Sequence, residues 1–278
     1  MSRRGLWSLP VWAWLLFFTG APVLVVAAIA LGRGSEGVPP FAPPPPVSWE
    51  SLGLVLGDPY YLSAFLQSLV VAGLCALGCL LLGFPMALGI ARAPAAWRNR
   101  LMLLVLLPFW TGFLLRLGAW IGLLRDGGWI NNLLLGLGVI QAPLPLLYSH
   151  GALMLGMVHA YLPFAVLPLV IALSRLDPEL EEAAADLGAG PWRIFASVTL
   201  PLAAPGAAAA FLLVFIPAAG EYVIPELLGP PEATMVGRVL WQEFFQNRDW
   251  PVASALALVL LLLLLLPIHL FQRLEARR

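Results

Sequence analysis

The stretch RLDPELEEAAADLGAGPWRIFASVTLPLAAPG, from Arg175 to Gly206, decides how the rest of the chain is read. It is polar enough to leave a membrane, yet it carries helix punctuation. Asp177 is a good N-cap, Pro178 fits the first helical position, and Glu179, Glu181 and Glu182 suit the positive end of a helix. Gly188 is a natural C-terminal stop. A second short helix is expected to start near Pro191 and to carry Trp192, Ile194, Phe195 and Val198, with Pro201 ending it as the next apolar run begins. The result is a helix–turn–helix with an acidic and an apolar side, a shape suited to docking in a groove on a partner.

On both sides of this hairpin the chain is apolar. Of 278 residues, 61% are hydrophobic and 11% are charged, against about 25% charged in a soluble domain. The mean hydropathy of +0.91 agrees. A water-soluble globule and a disordered chain are both excluded as leading readings. A bilayer core about 30 Å thick needs about 20 apolar residues in helix. Six runs qualify, at about 11–31, 62–91, 101–123, 146–174, 202–228 and 251–271. They are continuous rather than alternating, which disfavours a β-barrel. Pro85, Pro108, Pro163, Pro168, Pro217, Pro225 and Pro267 interrupt them, and a helical bundle can satisfy the carbonyls so freed. The first run is longer than the apolar core of a signal peptide and is read as a retained span. The fold class is therefore all-α: a polytopic membrane protein with about six transmembrane helices and a cytoplasmic hairpin.

Orientation follows from arginine. With the N-terminus inside, Arg3, Arg4, Arg92, Arg98, Arg100, Arg175, Arg193, Arg273, Arg277 and Arg278 fall inside, and six spans return the C-terminus to the same side. Arg33, Arg125, Arg238 and Arg248 fall outside, with Arg116 in the outer part of the third span. The expected topology is N-in/C-in. Glu36, Glu50, Asp58, Asp126, Glu232, Glu243 and Asp249 fall outside, and Glu221 and Glu226 lie in the outer half of the fifth span. A weak field attractive to cations would follow, although the arginine bias alone also leaves the outside acidic. The outer loop 32–61 contains PPFAPPPP, a polyproline II spacer or a docking surface. The outer segment 229–250 reads as an amphipathic helix, with Val239, Leu240, Phe244 and Phe245 on one side and Arg238, Gln242, Glu243 and Gln246 on the other. GWINNLLLGLG, Gly128 to Gly138, is too short to span and reads as interfacial.

The chain has no lysine; all 15 basic residues are arginine. A P-loop ATPase is excluded, because its phosphates need the Walker lysine, and so is Schiff-base chemistry. Zero net charge gives no reason to expect nucleic acid. Cys75 and Cys79 are too few for a disulfide framework or a zinc site, and His150, His159 and His269 have no metal spacing. An ionisable group within a span is a functional candidate. Glu221 qualifies: it could face a water path and pair with an ammonium, aided by cation–π attraction from Trp110, Trp120 and Tyr222, or it could pair with Arg116 or cap broken backbone. Asp249 joins the same expected substrate path. Trp7, Trp12, Trp14, Trp129, Trp241 and Trp250 read as interface anchors.

The hairpin also carries a family resemblance. Glu182-Ala183-Ala184, three residues, Gly188, nine residues, then Val198-Thr199-Leu200-Pro201 resembles the EAA loop of ABC importer permeases, with Val198 where that family usually has Ile. Three further segments resemble the spermidine/putrescine-type permeases: Phe211 to Ala257, Pro143 to Leu169, and Pro108 to Trp120. The resemblance implies the MetI-like permease architecture in a single permease domain, 1–278, with the first span at 11–31, a five-span core module at 60–271 and a coupling loop at 177–200. It implies a non-catalytic subunit of a bacterial inner-membrane importer. Glu182, Ala183, Ala184, Gly188, Val198, Leu200 and Pro201 would then meet a separate ABC ATPase dimer, which binds ATP and Mg; no cofactor is expected in this chain. A second homologous permease, an extracytoplasmic binding protein and the bilayer complete the expected partners. The expected cargo is a polyamine, with an amino-acid derivative, a phosphonate or another ion as alternatives. A stand-alone secondary transporter would show internal inverted repeats, and a membrane enzyme would show convergent catalytic groups; neither pattern is present in the sequence.

Overall fold

The computed structural model describes residues 10–44 and 46–275. Arg3, Arg4, Trp7, Arg277 and Arg278, which entered the orientation and interface readings, lie outside these residues. The order is α1 (Pro10–Ala30), a short ribbon of β1 (Arg33–Gly34) and β2 (Phe41–Ala42), α2 (Glu50–Gly57), α3 (Pro59–Arg92), α4 (Ala95–Trp110), α5 (Phe113–Leu124), α6 (Trp129–Gly136), α7 (His150–Leu173), α8 (Pro178–Asp186), α9 (Pro191–Ala219), α10 (Val223–Leu228), α11 (Val236–Trp241, continued by a wide turn Gln242–Gln246) and α12 (Trp250–Glu275). The ribbon is antiparallel, with Arg33 opposite Ala42. Helix dominates, as expected for an all-α membrane protein.

The helices α1, α3, α7, α9 and α12 are each long and apolar enough to cross a membrane. The third expected span, 101–123, is not one helix. It is broken between α4 and Phe113–Gly136, with a bend of 84°. The cause is local: Pro108 lies in the last turn of α4, Thr111 and Gly112 adopt extended backbone, and the Thr111 hydroxyl donates to the Pro108 carbonyl at 2.6 Å. The fifth expected span, 202–228, also differs. Helix α9 starts at Pro191 and runs through Pro201, Pro205 and Pro217 before breaking at Gly220–Tyr222. Pro201 does not end the preceding helix, because the turn Phe195–Thr199 is wide: the Leu200 N–H reaches Phe195, five residues back, and makes room for the ring that follows. Pro225 sits in the first turn of α10, where a missing N–H costs nothing.

The described chain divides into two compact units. The first joins the described residues up to 66 to residues 236–266. Its core is Ala30, Val55, Ala64, Phe65, Val236, Val239, Val252, Ala255 and Leu256. The outer segment is helical, as its periodicity suggests, but its faces are not those expected. Glu243 is buried and Phe245 is exposed. The wide turn Gln242–Gln246 is the reason: the Asn247 N–H bonds Gln242, five residues back, and this shifts the helical phase. The Tyr61 hydroxyl and the Asn247 amide each donate to the Glu243 carboxylate at 2.9 Å, so the buried charge is hydrogen-bonded. Trp250 stacks on Phe244 and Phe41.

The second unit joins residues 67–235 to 267–275, and its broadest packing is between α7 and α9. In lipid, helices gain little from burying apolar surface against each other, so close approach through small residues holds them. A Cβ on Gly206 would collide with Ala172, and one on Gly156 with Leu228 and Ile224. Cys75 and Cys79 are buried, free thiols in the same unit. Gly206→Ala is therefore expected to lower the melting temperature of the detergent-solubilised protein, by an overpacking cost of about 1–3 kcal/mol. Gly73→Ala, whose new methyl meets nothing within 4 Å, is expected to raise it through helix propensity, by up to about 1 kcal/mol. Melts of equal sign for the two variants would contradict the packing account.

Between α5 and α7 a buried asparagine pins the chain. Asn131 is fully buried; its Nδ2 donates to the Leu144 carbonyl and its Oδ1 accepts from the Leu144 N–H, both at 2.9 Å. This two-point match ties helix α6 to the loop that leads into α7.

Candidate functional site

The hairpin folds as its local chemistry dictates. Asp177 is extended, and its Oδ1 accepts from the Glu179 N–H at 3.1 Å, with Pro178 opening α8. At the other end Gly188 has φ +79°. Its N–H donates to Ala185 at 2.8 Å, and the Ala189 N–H donates to Ala184 at 3.1 Å. That pair of bonds is a Schellman ending, which needs a left-handed residue at the position of Gly188. Helix α9 then opens at Pro191, and Trp192 stacks on Phe195, which meets Phe84 edge-on. Leu187 is 89% exposed and Trp192 is 78% exposed, so the tip presents bare apolar surface.

Within the motif Glu182 and Ala183 are exposed, Ala184 and Val198 are half-buried, and Leu200 and Pro201 are exposed. The residues that fasten the hairpin are others. Arg92, the last residue of α3, donates through Nη2 to both carboxylate oxygens of Glu181, and the Thr199 hydroxyl donates to Oε1 of the same group. Thr199 is buried, and Glu181 is half-buried. A cavity of about 570 Å³ opens at the foot of the hairpin, lined among others by Arg92, Arg98, Asp177, Glu181, Glu182 and Thr199. Glu181 and Glu182 look alike in the sequence; only the fold separates them.

The second candidate region is the break at Gly220–Tyr222. Glu221 Oε1 accepts from the N–H groups of Val223 (3.0 Å) and Tyr222 (3.2 Å), and Oε2 accepts from the Tyr161 hydroxyl. The carboxylate thus caps α10, answering the orphan donors that a helix start leaves. Of the alternatives open in the sequence, this is the capping one. Arg116 instead lies over the rings of Phe109 (5.2 Å) and Phe113 (5.8 Å). Two residues before Tyr161 on α7, His159 meets Trp120 edge-on. Tyr222 is half-buried beside Glu221. Trp110 stands apart, 85% exposed, at the rim of a small apolar cavity with Phe109 and Phe164. Asp249 belongs to the first unit, where its Oδ1 caps the Val252 N–H at 3.1 Å. Among the described residues no cluster could hold a metal ion.

The long apolar helices, with the capped polar hairpin between α7 and α9, are those of a polytopic membrane protein. The family described as binding-protein-dependent transport system inner membrane component matches residues 79–278, and the chain belongs to it. It is 36% identical to the spermidine/putrescine transport system permease protein PotB of Haemophilus influenzae, over 95% of this chain and 91% of that one. PotB of Escherichia coli K12 is 37% identical over 78% of each chain. Among solved structures, a bacterial ABC transporter that imports the acidic polysaccharide alginate has a TM-score of 0.64 at 21% identity, covering 95% of this chain and 93% of that chain. The MetNI methionine ABC transporter in an inward-facing form has a TM-score of 0.56 at 19% identity, covering 77% and 93%. The chain is an inner-membrane protein with the ABC-importer permease fold.

Proposed function

We propose that this chain is one of two homologous permease subunits of an ATP-driven polyamine importer, oriented N-in/C-in. The hairpin 177–200 docks on a separate ABC ATPase, and an extracytoplasmic binding protein delivers the cargo. The observation that carries the reading is the hairpin itself: rigidly capped at Asp177 and Gly188, with Leu187 and Trp192 bare at its tip. Such a tip is complementary to an apolar cleft on a partner. The chain has no lysine for a Walker motif, so ATP and Mg are assigned to the partner ATPase.

Closure of an ATPase dimer would push on the hairpin, and α7, which precedes it, and α9, whose first turns belong to it, would rock around the path. Glu182, Ala183, Ala184, Gly188, Val198, Leu200 and Pro201 form the ATPase-coupling region. Glu221, Tyr222, Trp110, Trp120 and Asp249 remain the candidates along the path. A carboxylate next to aromatic faces suits an ammonium group, with cation–π attraction of roughly 0.5–2 kcal/mol per ring.

The test is reconstitution of the whole importer in vesicles with labelled putrescine and spermidine. Uptake is expected to require the ATPase, ATP and the binding protein. Uptake by this chain alone would overturn the mechanism. Transport of a phosphonate in place of polyamines would replace the cargo and leave the machine.

A further inference from the structure

Three segments far apart in sequence converge on one carboxylate. Glu181 lies in the first turn of α8, Arg92 ends α3 89 residues earlier, and Thr199 lies 18 residues later in the wide turn of α9. A threonine in a regular helix commonly bonds the carbonyl four residues back; Thr199 gives its hydroxyl to Glu181 instead. The covalent chain joins α8 only to α7 and α9, through the short links 174–177 and 187–190. Arg92 adds α3, which no link of the hairpin reaches.

We infer that Arg92, Glu181 and Thr199 form a clasp that makes the hairpin, the end of α3 and the start of α9 move as one body, so that a push on the hairpin is delivered to the spans instead of being lost in the links. The inference rests on the hairpin being the ATPase-docking element. Glu181 is a positioning residue here. It is distinct from Glu182, which is exposed and free to meet a partner. Arg92 is largely exposed, with 54% of its side-chain surface open, and an exposed ion pair adds little to stability. Opening the clasp should therefore disturb transmission more than folding.

The experiment uses the complete importer in proteoliposomes and reads cargo moved per ATP hydrolysed, together with the amount of ATPase bound. Glu181→Gln keeps an acceptor for Thr199 and loses the charge that holds Arg92. It is expected to lower the cargo-per-ATP ratio about fivefold with the ATPase still bound in full. A second protein removes dependence on that variant folding. Arg92→Cys with Glu181→Cys, in a Cys75→Ala, Cys79→Ala background, is compared with itself before and after closure by a short thiol cross-linker. The open form is expected to be uncoupled and the bridged form to regain coupling. A ratio within about twofold of wild type in Glu181→Gln and in the open cysteine form overturns the clasp. So does arrest of transport by the bridge, since a clasp that must open cannot be a rigid strut. Should the unmodified chain bring down no ATPase at all, the docking reading fails instead, and the two failures are told apart.

Discussion

Gly188→Val is expected to uncouple the importer. Uptake should fall about five- to thirtyfold while the permease still assembles in the membrane. The backbone at Gly188 has φ +79°, and the Schellman bonds to Ala185 and Ala184 depend on it. An L-residue in the left-handed region costs roughly 1–2 kcal/mol, and a β-branched one is the worst case. One or two kcal/mol shifts a two-state population by a factor of roughly 5–30, enough to empty the docked form of the hairpin. Open space around Gly188 matters for the control: a Cβ there meets nothing within 4 Å, so the penalty is conformational and not a clash. Gly188→Asn, which tolerates this conformation best among residues with a side chain, is expected to keep more uptake than Gly188→Ala, and Gly188→Ala more than Gly188→Val. ATP-driven uptake in the reconstituted importer checks the order. A flat series would mean that the turn carries no part of the coupling.

The hairpin was legible because its chemistry is local. Asp177 with Glu179, and Gly188 with Ala185 and Ala184, are pairs within five residues of one another, and residue types alone announce them. Apolar length placed four of the six expected spans, 11–31, 62–91, 146–174 and 251–271, for the same reason. What sequence could not supply is partnership at a distance. Glu221 and Tyr161 lie 60 residues apart, and Arg92 and Glu181 lie 89 apart; nothing in their neighbourhoods names the partner. The buried Glu243 was hidden differently. Regular periodicity put it on a polar face, and a single wide turn rotated it inward toward Tyr61. The broken third span belongs to the same class. Pro108 was visible, but a proline inside an apolar run is compatible with a kink or a full break. Extended backbone at Thr111 and Gly112 decided for the break.

Glu221→Ala is expected to cost the most of any change at the break. The variant frees the N–H groups of Tyr222 and Val223 at the start of α10, worth about 1 kcal/mol as a lost cap. It also takes the partner from the half-buried Tyr161 hydroxyl, at up to about 1 kcal/mol for a part-exposed polar group. Helix α10 packs on α7, where Gly156 admits Leu228 and Ile224 at close range, so loosening its start loosens the bundle. The expected readouts are a lower melting temperature and uptake reduced beyond about tenfold. Glu221→Gln separates the two roles open to this residue. Its carbonyl oxygen can still accept from the backbone N–H groups and its amide can bond the Tyr161 oxygen, so the cap survives and the negative charge does not. A Gln variant with a wild-type melting temperature and a strongly weakened response to external polyamine would place the carboxylate on the cargo path. A Gln variant that melts and transports as the wild type, beside an Ala variant that does neither, would make Glu221 a cap alone and remove it from the path.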